Sequence, residues 1–167
     1  TDQMEVHKGR IEIAHQDTIV TDPTTDISGG YFLEPEGNTA SDGLYFMSNQ
    51  GCHIRIHDPK PDVINKRQLS YIKAYINKFE TALYGEDFSH EKRGYRQYTD
   101  TTSLIDWYLV QEISANADGF WCSYIYKDRA SELIHFGPIW DFDICWNNCS
   151  ARKCMTRCIS SAPMRNM

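Results

Sequence analysis

Residues 116–143 read NADGFWCSYIYKDRASELIHFGPIWDFD, and this stretch decides the fold. Apolar residues alternate with polar ones at about 120–126, which predicts a strand, and a polar turn leads to a second predicted strand at 132–136. A hairpin of this length returns the chain to the side from which it came. Asp118 precedes the hairpin and Asp141 follows it. We therefore expect the two residues to lie close together at the open end of the hairpin.

The acids on the two sides of the hairpin suggest phosphoryl transfer. Asn116 and Asp118 precede the hairpin, and Asp141 and Asp143 follow it. Phosphoryl transfer needs one carboxylate that orients the attacking hydroxyl and accepts its proton, and another that holds a divalent ion. Protein kinases have the same order along the chain, although His-Arg-Asp and Asp-Phe-Gly are absent here. Asn116, Asp118, Asp141 and Asp143 are therefore our candidates for the residues that carry this chemistry.

Each acidic cluster also has a simpler interpretation. Asn116 and Asp118 are typical of a helix end, and taken alone they fit that role better. Asp141 and Asp143 fit a surface turn or a calcium loop, although no D-x-D-x-D-G pattern is present. However, they flank Phe142 in an apolar run, where carboxylates would be costly to bury without a cation. Taken together, the clusters favour a metal site.

Two further residues are candidates for cofactor binding. Lys127 could contact a phosphate or an acidic partner, but its place in a predicted turn favours a solvated side chain. Glu34 ends a predicted strand after Gly29 and Gly30, where it could pair with a cation or be an ordinary surface acid. The six histidines show no ligand spacing, and we assign no zinc site to them.

The elements before the hairpin follow from periodicity. Apolar spacing from Leu69 to Leu83 predicts a helix capped by Asn65 with Gln68 and ended by Gly85. A second helix is predicted at about 102–114, and its apolar face consists of Leu104, Ile105, Tyr108, Leu109 and Ile113. Further strands are predicted at 10–13, 31–34, 44–47 and 52–56, the last two joined by a turn at 49–51.

Composition narrows the classes of function. A chain of 167 residues fits one domain, and a net charge of −6 lacks the electrostatic footprint of nucleic-acid binding. The charge also gives no attraction to anionic lipid, whereas a basic peptide partner would be weakly favoured. No stretch approaches the roughly 18 apolar residues of a membrane span.

Four cysteines crowd together near the end of the chain. Cys145, Cys149, Cys154 and Cys158 are spaced C-x3-C-x4-C-x3-C, which makes a metal knuckle conceivable. We favour free thiols or partial disulfides, because no histidine or second ligand pair stands beside them. Residues 149–167 have little apolar order and are predicted to form an irregular tail.

Several motifs resemble those of one known family. They are ISGGYFLE at 27–34, the helix at 68–83, YTD to Glu112 in the form D-x-x-S-x-x-D-x-x-L-x-x-E, N-x-D followed by SYIYKD at 116–128, and GPIWDFD at 137–143. They occur in the order typical of CotH proteins, the spore-coat-protein-H-like kinases. The last motif is the most specific, and the resemblance spans roughly residues 5–148.

The resemblance implies an α+β, atypical protein-kinase-like fold, mostly the C-terminal lobe with part of the small-lobe sheet. It implies ATP and Mg²⁺ or Mn²⁺ as cofactors, Ser or Thr acceptors in proteins, and an extracellular, cell-surface or spore-coat location. Asp118 then corresponds to the catalytic-loop carboxylate and Asp141 to the metal ligand, with Asn116 and Asp143 in support.

The resemblance also predicts a partial kinase-like domain at 1–148, because the family's upstream lobe and a G-x-G-x-x-G loop are missing. Two alternatives to a kinase stay open. One is a surface-binding or adhesion module on the same fold, and the other is a metal-dependent hydrolase of phosphate esters.

Overall fold

The computed structural model describes residues 4–16, 18–36, 43–116, 118–120, 123–129 and 131–146. In this part of the chain the elements run in the order β1 (Tyr31–Glu36), β2 (Leu44–Met47), β3 (His53–Asp58), α1 (Lys66–Tyr84), α2 (Thr101–Ser114), β4 (Ile125–Lys127) and β5 (Ile134–Phe136). The strands form one antiparallel sheet with the order β2-β3-β1-β4-β5. The predicted α+β class is confirmed.

The two faces of the sheet carry different side chains because successive residues of a strand point to opposite sides. One face packs against α1 and contains the main core. This core joins strand residues to the helix residues Ile72 and Ile76, and its strand members are Tyr31, Leu33, Phe46, Ile54, Ile56, Ile125 and Ile134. The opposite face contains a smaller cluster in which Phe32 and Tyr124 pack with Ile11.

Helix α1 begins and ends where its sequence signals predict. Asn65 accepts a hydrogen bond from the Gln68 backbone N–H at 3.0 Å, and the Gln68 side chain accepts one from the Asn65 N–H at 2.7 Å. This reciprocal capping box satisfies two N–H groups that the first helical turn leaves unpaired. The helix ends at Tyr84, immediately before Gly85.

The predicted strand at 10–13 is wrong. In the structure this segment has only an isolated bridge between Val6 and Ile11, and Ile11 packs onto the sheet face. Strand β1 pairs with β3 on one edge and β4 on the other. The alternation of Ile11 and Ile13 therefore reflects docking onto the face of the sheet.

The hairpin is shorter than predicted. Residues Asp118–Phe120 form a 3₁₀ turn, and β4 begins only at Ile125. The Ser123 hydroxyl donates to the Gly119 carbonyl and closes this turn. Lys127 belongs to β4 rather than to the turn that follows it.

The apolar face predicted for α2 does not pack into the core. Ile105 is 55% exposed and Ile113 is 69% exposed, and Tyr108 and Leu109 are also exposed. The helix contacts β5 on another side, where the Trp107 ring lies 5.4 Å from that of Phe136. Within the described residues, neither helix is long and apolar enough to cross a lipid bilayer.

Candidate functional site

The C-terminal end of α2 positions Asn116 and Asp118. Ala115 adopts a left-handed conformation (φ 53°), and its N–H donates to the carbonyls of Gln111 and Glu112. Asn116 follows with its backbone N–H bonded to the Gln111 carbonyl at 3.0 Å. This arrangement ends the helix and leads directly into the 3₁₀ turn that contains Asp118.

A side-chain hydrogen bond links the segments that flank the hairpin. The Asn116 Nδ2 group donates to the Asp141 backbone carbonyl at 3.1 Å. A second link lies nearby, because the Trp146 N–H donates to the Ser114 carbonyl at 2.9 Å. The segment after β5 is therefore attached to the end of α2, in line with the neighbouring positions that the hairpin predicts for Asp118 and Asp141.

The three aspartates form an exposed group of like charges. Partial desolvation raises the pKa of Asp141, and the charge of Asp143, a hydrogen bond with it and the charge of Asp118 raise it further. All three residues are exposed. The argument from the cost of burying carboxylates does not apply to Asp141 and Asp143, because Asp141 has φ 59° and lies in an irregular segment at the surface. Their interpretation as a surface turn stays open.

The residues present fit a divalent cation that is shared with a substrate. Asn116 is 1% exposed, and its Oδ1 atom is buried without a hydrogen-bond partner. Carboxylate and amide oxygens are the ligands that Mg²⁺ prefers, and Mg²⁺ usually takes one or two carboxylates together with phosphates and waters. In the described part of the chain, no three His, Cys, Asp or Glu side chains form a complete metal-binding group. A cation held here would therefore need phosphate or water oxygens in addition to those of the described residues.

Lys127 lies at the other end of the hairpin. It is 2% exposed, so the expectation of a solvated turn residue is wrong. Its Nζ donates to the Ser131 carbonyl at 3.0 Å and lies 5.0 Å from the centre of the Tyr75 ring. Burial lowers the pKa of Lys127, while the carboxylates of Glu132, Asp26 and Asp128 oppose that shift. The structure does not bring Lys127 together with the three aspartates.

Glu34 lies on the sheet face opposite α1, where it pairs with His57. Its Oε2 atom is 2.6 Å from His57 Nε2, and both side chains are largely buried. The His57 ring lies 5.4 Å from the Tyr124 ring, which in turn lies 5.1 Å from Trp140. These rings connect the Glu34–His57 pair to the residue that precedes Asp141.

Two residues near the site were not identified from the sequence. His57 contacts Glu34 across 23 positions of sequence, and no local pattern indicates that pairing. Gln111 is buried at the end of α2, although glutamine there suggests a solvated position. Cys52 and Cys145 are free thiols. Cys149, Cys154 and Cys158 lie outside the described residues, as does the predicted tail at 149–167, so the metal knuckle stays a prediction.

A family model described as CotH kinase protein matches residues 23–166. The chain belongs to the CotH kinase family. No curated protein and no solved structure matches the chain significantly. In this CotH chain the match covers α1, α2, the whole sheet and the acidic segment at 137–143. The match also includes most of the segment 149–167, for which composition alone predicts an irregular tail.

Proposed function

We propose that this CotH protein transfers the γ-phosphate of ATP to a Ser or Thr hydroxyl of another protein, with Mg²⁺ or Mn²⁺. The observation that carries the proposal is the 3.1 Å hydrogen bond from Asn116 to the Asp141 carbonyl. This bond holds a potential base and potential metal ligands beside one another, as phosphoryl transfer requires. Membership of the CotH kinase family supports the same reaction class.

The residues have distinct roles in this proposal. Asp118 is exposed at a surface turn, where it can orient an acceptor hydroxyl and accept its proton. Asp141 and Asp143 hold the divalent ion, and Asn116 keeps their segment against the base. When bound, the ion supplies neutralisation of the charge that develops on the phosphate oxygens.

The proposed acceptor is a basic protein segment. The exposed aspartates give the site a negative field, and the whole chain carries a net charge of −6. Such a field attracts a positively charged segment and disfavours an acidic one.

Lys127 and Glu34 have no direct phosphate contact in this proposal. Lys127 is occupied by the Ser131 carbonyl and the Tyr75 ring, and Glu34 is occupied by His57. Both therefore support the sheet whose strands β4 and β5 adjoin the site.

The test is a γ-phosphate transfer assay on the full-length protein, with a basic Ser-containing peptide and MnCl₂ or MgCl₂. Asp118→Asn and Asp141→Asn are each expected to lower kcat by about 100-fold or more, the range of a lost general base or essential ligand. Asp62→Asn removes the same charge from another exposed turn and is expected to keep wild-type activity.

Two results would contradict the proposal. One is a folded, metal-supplied wild-type protein that transfers no phosphate, which would favour the surface-binding module. The other is release of free phosphate at the same rate with and without acceptor, which would favour the phosphate-ester hydrolase.

A further inference from the structure

Gln111 is a buried amide next to the site that the proposed roles do not use. It lies in the last turn of α2, is 3% exposed, and its Oε1 atom has no hydrogen-bond partner. Burying an unpaired amide oxygen is unfavourable, so such a residue calls for a physical explanation.

The Gln111 side chain lies directly against Gly119. A Cβ atom on residue 119 would overlap Oε1 and Cδ of Gln111 and would lie 2.9 Å from its Nε2. The hydrogen that takes the place of this Cβ in Gly119 therefore points at the Gln111 amide, as in a Cα–H···O contact. Only glycine leaves room for this approach, so residues 111 and 119 depend on each other.

The backbone of Gln111 holds the other side of the same turn. Its carbonyl accepts hydrogen bonds from the N–H groups of Ala115 and Asn116, the latter at 3.0 Å. The Gly119 N–H in turn donates to the Asn116 carbonyl at 3.3 Å. The main chain of Gln111 therefore contacts Asn116, and its side chain contacts Gly119. These two residues lie on either side of Asp118.

We propose that Gln111 is a positioning residue that sets the direction of Asp118 by acting through Gly119. The inference deepens the proposed function and rests on it for the role of Asp118 as the base. The thin, planar amide of Gln111 fills the space against the main chain of Gly119. It therefore restricts the 3₁₀ turn to one conformation. Loss of the amide lets the turn move, and the base then spends less time aligned with the acceptor hydroxyl.

A double-mutant cycle between the two residues tests the proposal. Gly119→Ala is expected to lower kcat by about 100-fold, because the added methyl group collides with Gln111, and Gln111→Ala by about 10-fold. The double variant is expected to regain activity to about the level of Gln111→Ala alone, because the shortened side chain makes room for the methyl group. The KM for ATP is expected to stay within about 3-fold throughout, since Asp141 and Asp143 are untouched.

Volume-conserving Gln111→Met separates positioning from packing. This variant keeps side-chain length and burial, so its melting temperature should stay close to wild type. Its kcat is expected to fall about 10-fold, because it lacks the planar amide that lies against Gly119. Equal losses in Gly119→Ala and the double variant would overturn the inference. So would wild-type activity in Gln111→Met alongside an inactive Asp118→Asn, which would leave the proposed function intact.

Hydrogen exchange tests the positioning without any activity. If the wild-type protein transfers no phosphate, the proposed function fails, but the Gly119 amide still reports on the turn. Exchange at this amide is expected to be about 10-fold faster in Gln111→Met than in wild type. Unchanged exchange would overturn the inference.

Discussion

The crowding of carboxylates around Asp141 has a consequence that titration can measure. Desolvation is the largest cause of its raised pKa, and Asp143 contributes both through its charge and through a hydrogen bond. Asp143→Asn is therefore expected to lower the pKa of Asp141 without returning it fully to its ordinary value. Carbon-13 NMR of the side-chain carboxyls in metal-free protein measures the shift, with Asp62→Asn as the control.

The sign for stability follows from the direction of this shift. A carboxyl whose pKa is higher in the folded state binds its proton more tightly there, so ionisation of Asp141 opposes folding. This opposition is present above the folded pKa and is relieved as the pH falls through it. An unchanged pKa of Asp141 in Asp143→Asn would contradict the charge crowding.

Some residues of the site could be predicted from the sequence and others could not. The nearness of the segments that contain Asp118 and Asp141 follows from the strand-turn-strand pattern, because a hairpin brings the residues outside its two ends together. The burial of Lys127 does not follow, because a three-residue strand next to a polar turn looks like part of that turn. The Glu34–His57 pair depends on the register of β1 against β3, which exists only in the folded sheet.

At the scale of elements, the two helices are held in different ways, and isoleucine substitutions distinguish them. Ile72 on α1 is 0% exposed and lies in the main core, whereas Ile113 on α2 is 69% exposed. Ile72→Ala is expected to lower the free energy of unfolding by about 2–5 kcal/mol, and Ile113→Ala by less than about 1 kcal/mol. Urea denaturation followed by circular dichroism measures both, and a large loss in Ile113→Ala would show that α2 is covered in the protein.

Element prediction succeeded where several signals agree. Helix α1 combines long apolar periodicity with a capping box and a terminal glycine, and the structure places its ends within a residue of those signals. The segment at 10–13 has only alternation in its favour, and alternation does not say whether a strand edge is free to pair with it. Periodicity predicts an apolar face for α2, but it does not identify which side of the helix meets the sheet.

At the scale of the whole molecule, ligand binding and folding stability are linked. The proposed function predicts that ATP with MnCl₂ binds the folded protein and raises its melting temperature. At about 100 times the dissociation constant the gain is about 2.7 kcal/mol, which for a chain of this size corresponds to about 5–10 °C. Differential scanning fluorimetry measures this shift.

Two variants make the thermal experiment specific to the site. Asp141→Asn is expected to lose most of the shift. Asn65→Ala removes the cap of α1, a helix that packs in the main core, so it lowers the starting temperature but keeps the shift. The same small shift in wild type and Asp141→Asn would contradict binding at the acidic segment.

The α+β class could be predicted for the molecule as a whole, because the predicted strands and the predicted helices fall in separate runs along the sequence. The strand order could not, since it places β1 between β3 and β4, which lie on opposite sides of two helices in the sequence. Periodicity describes each segment but contains no information about which distant segments pair.

The central place of β1 has a consequence for synthesis of the protein. One edge of β1 can pair with β3 soon after both strands leave the ribosome. The other edge stays unpaired until β4 is synthesised, about 90 residues after β1. At roughly 5–20 residues per second the nascent chain carries an open strand edge for about 5–20 seconds. Such an edge invites pairing with other chains, so this interval is when the growing polypeptide is most exposed to aggregation and to capture by chaperones.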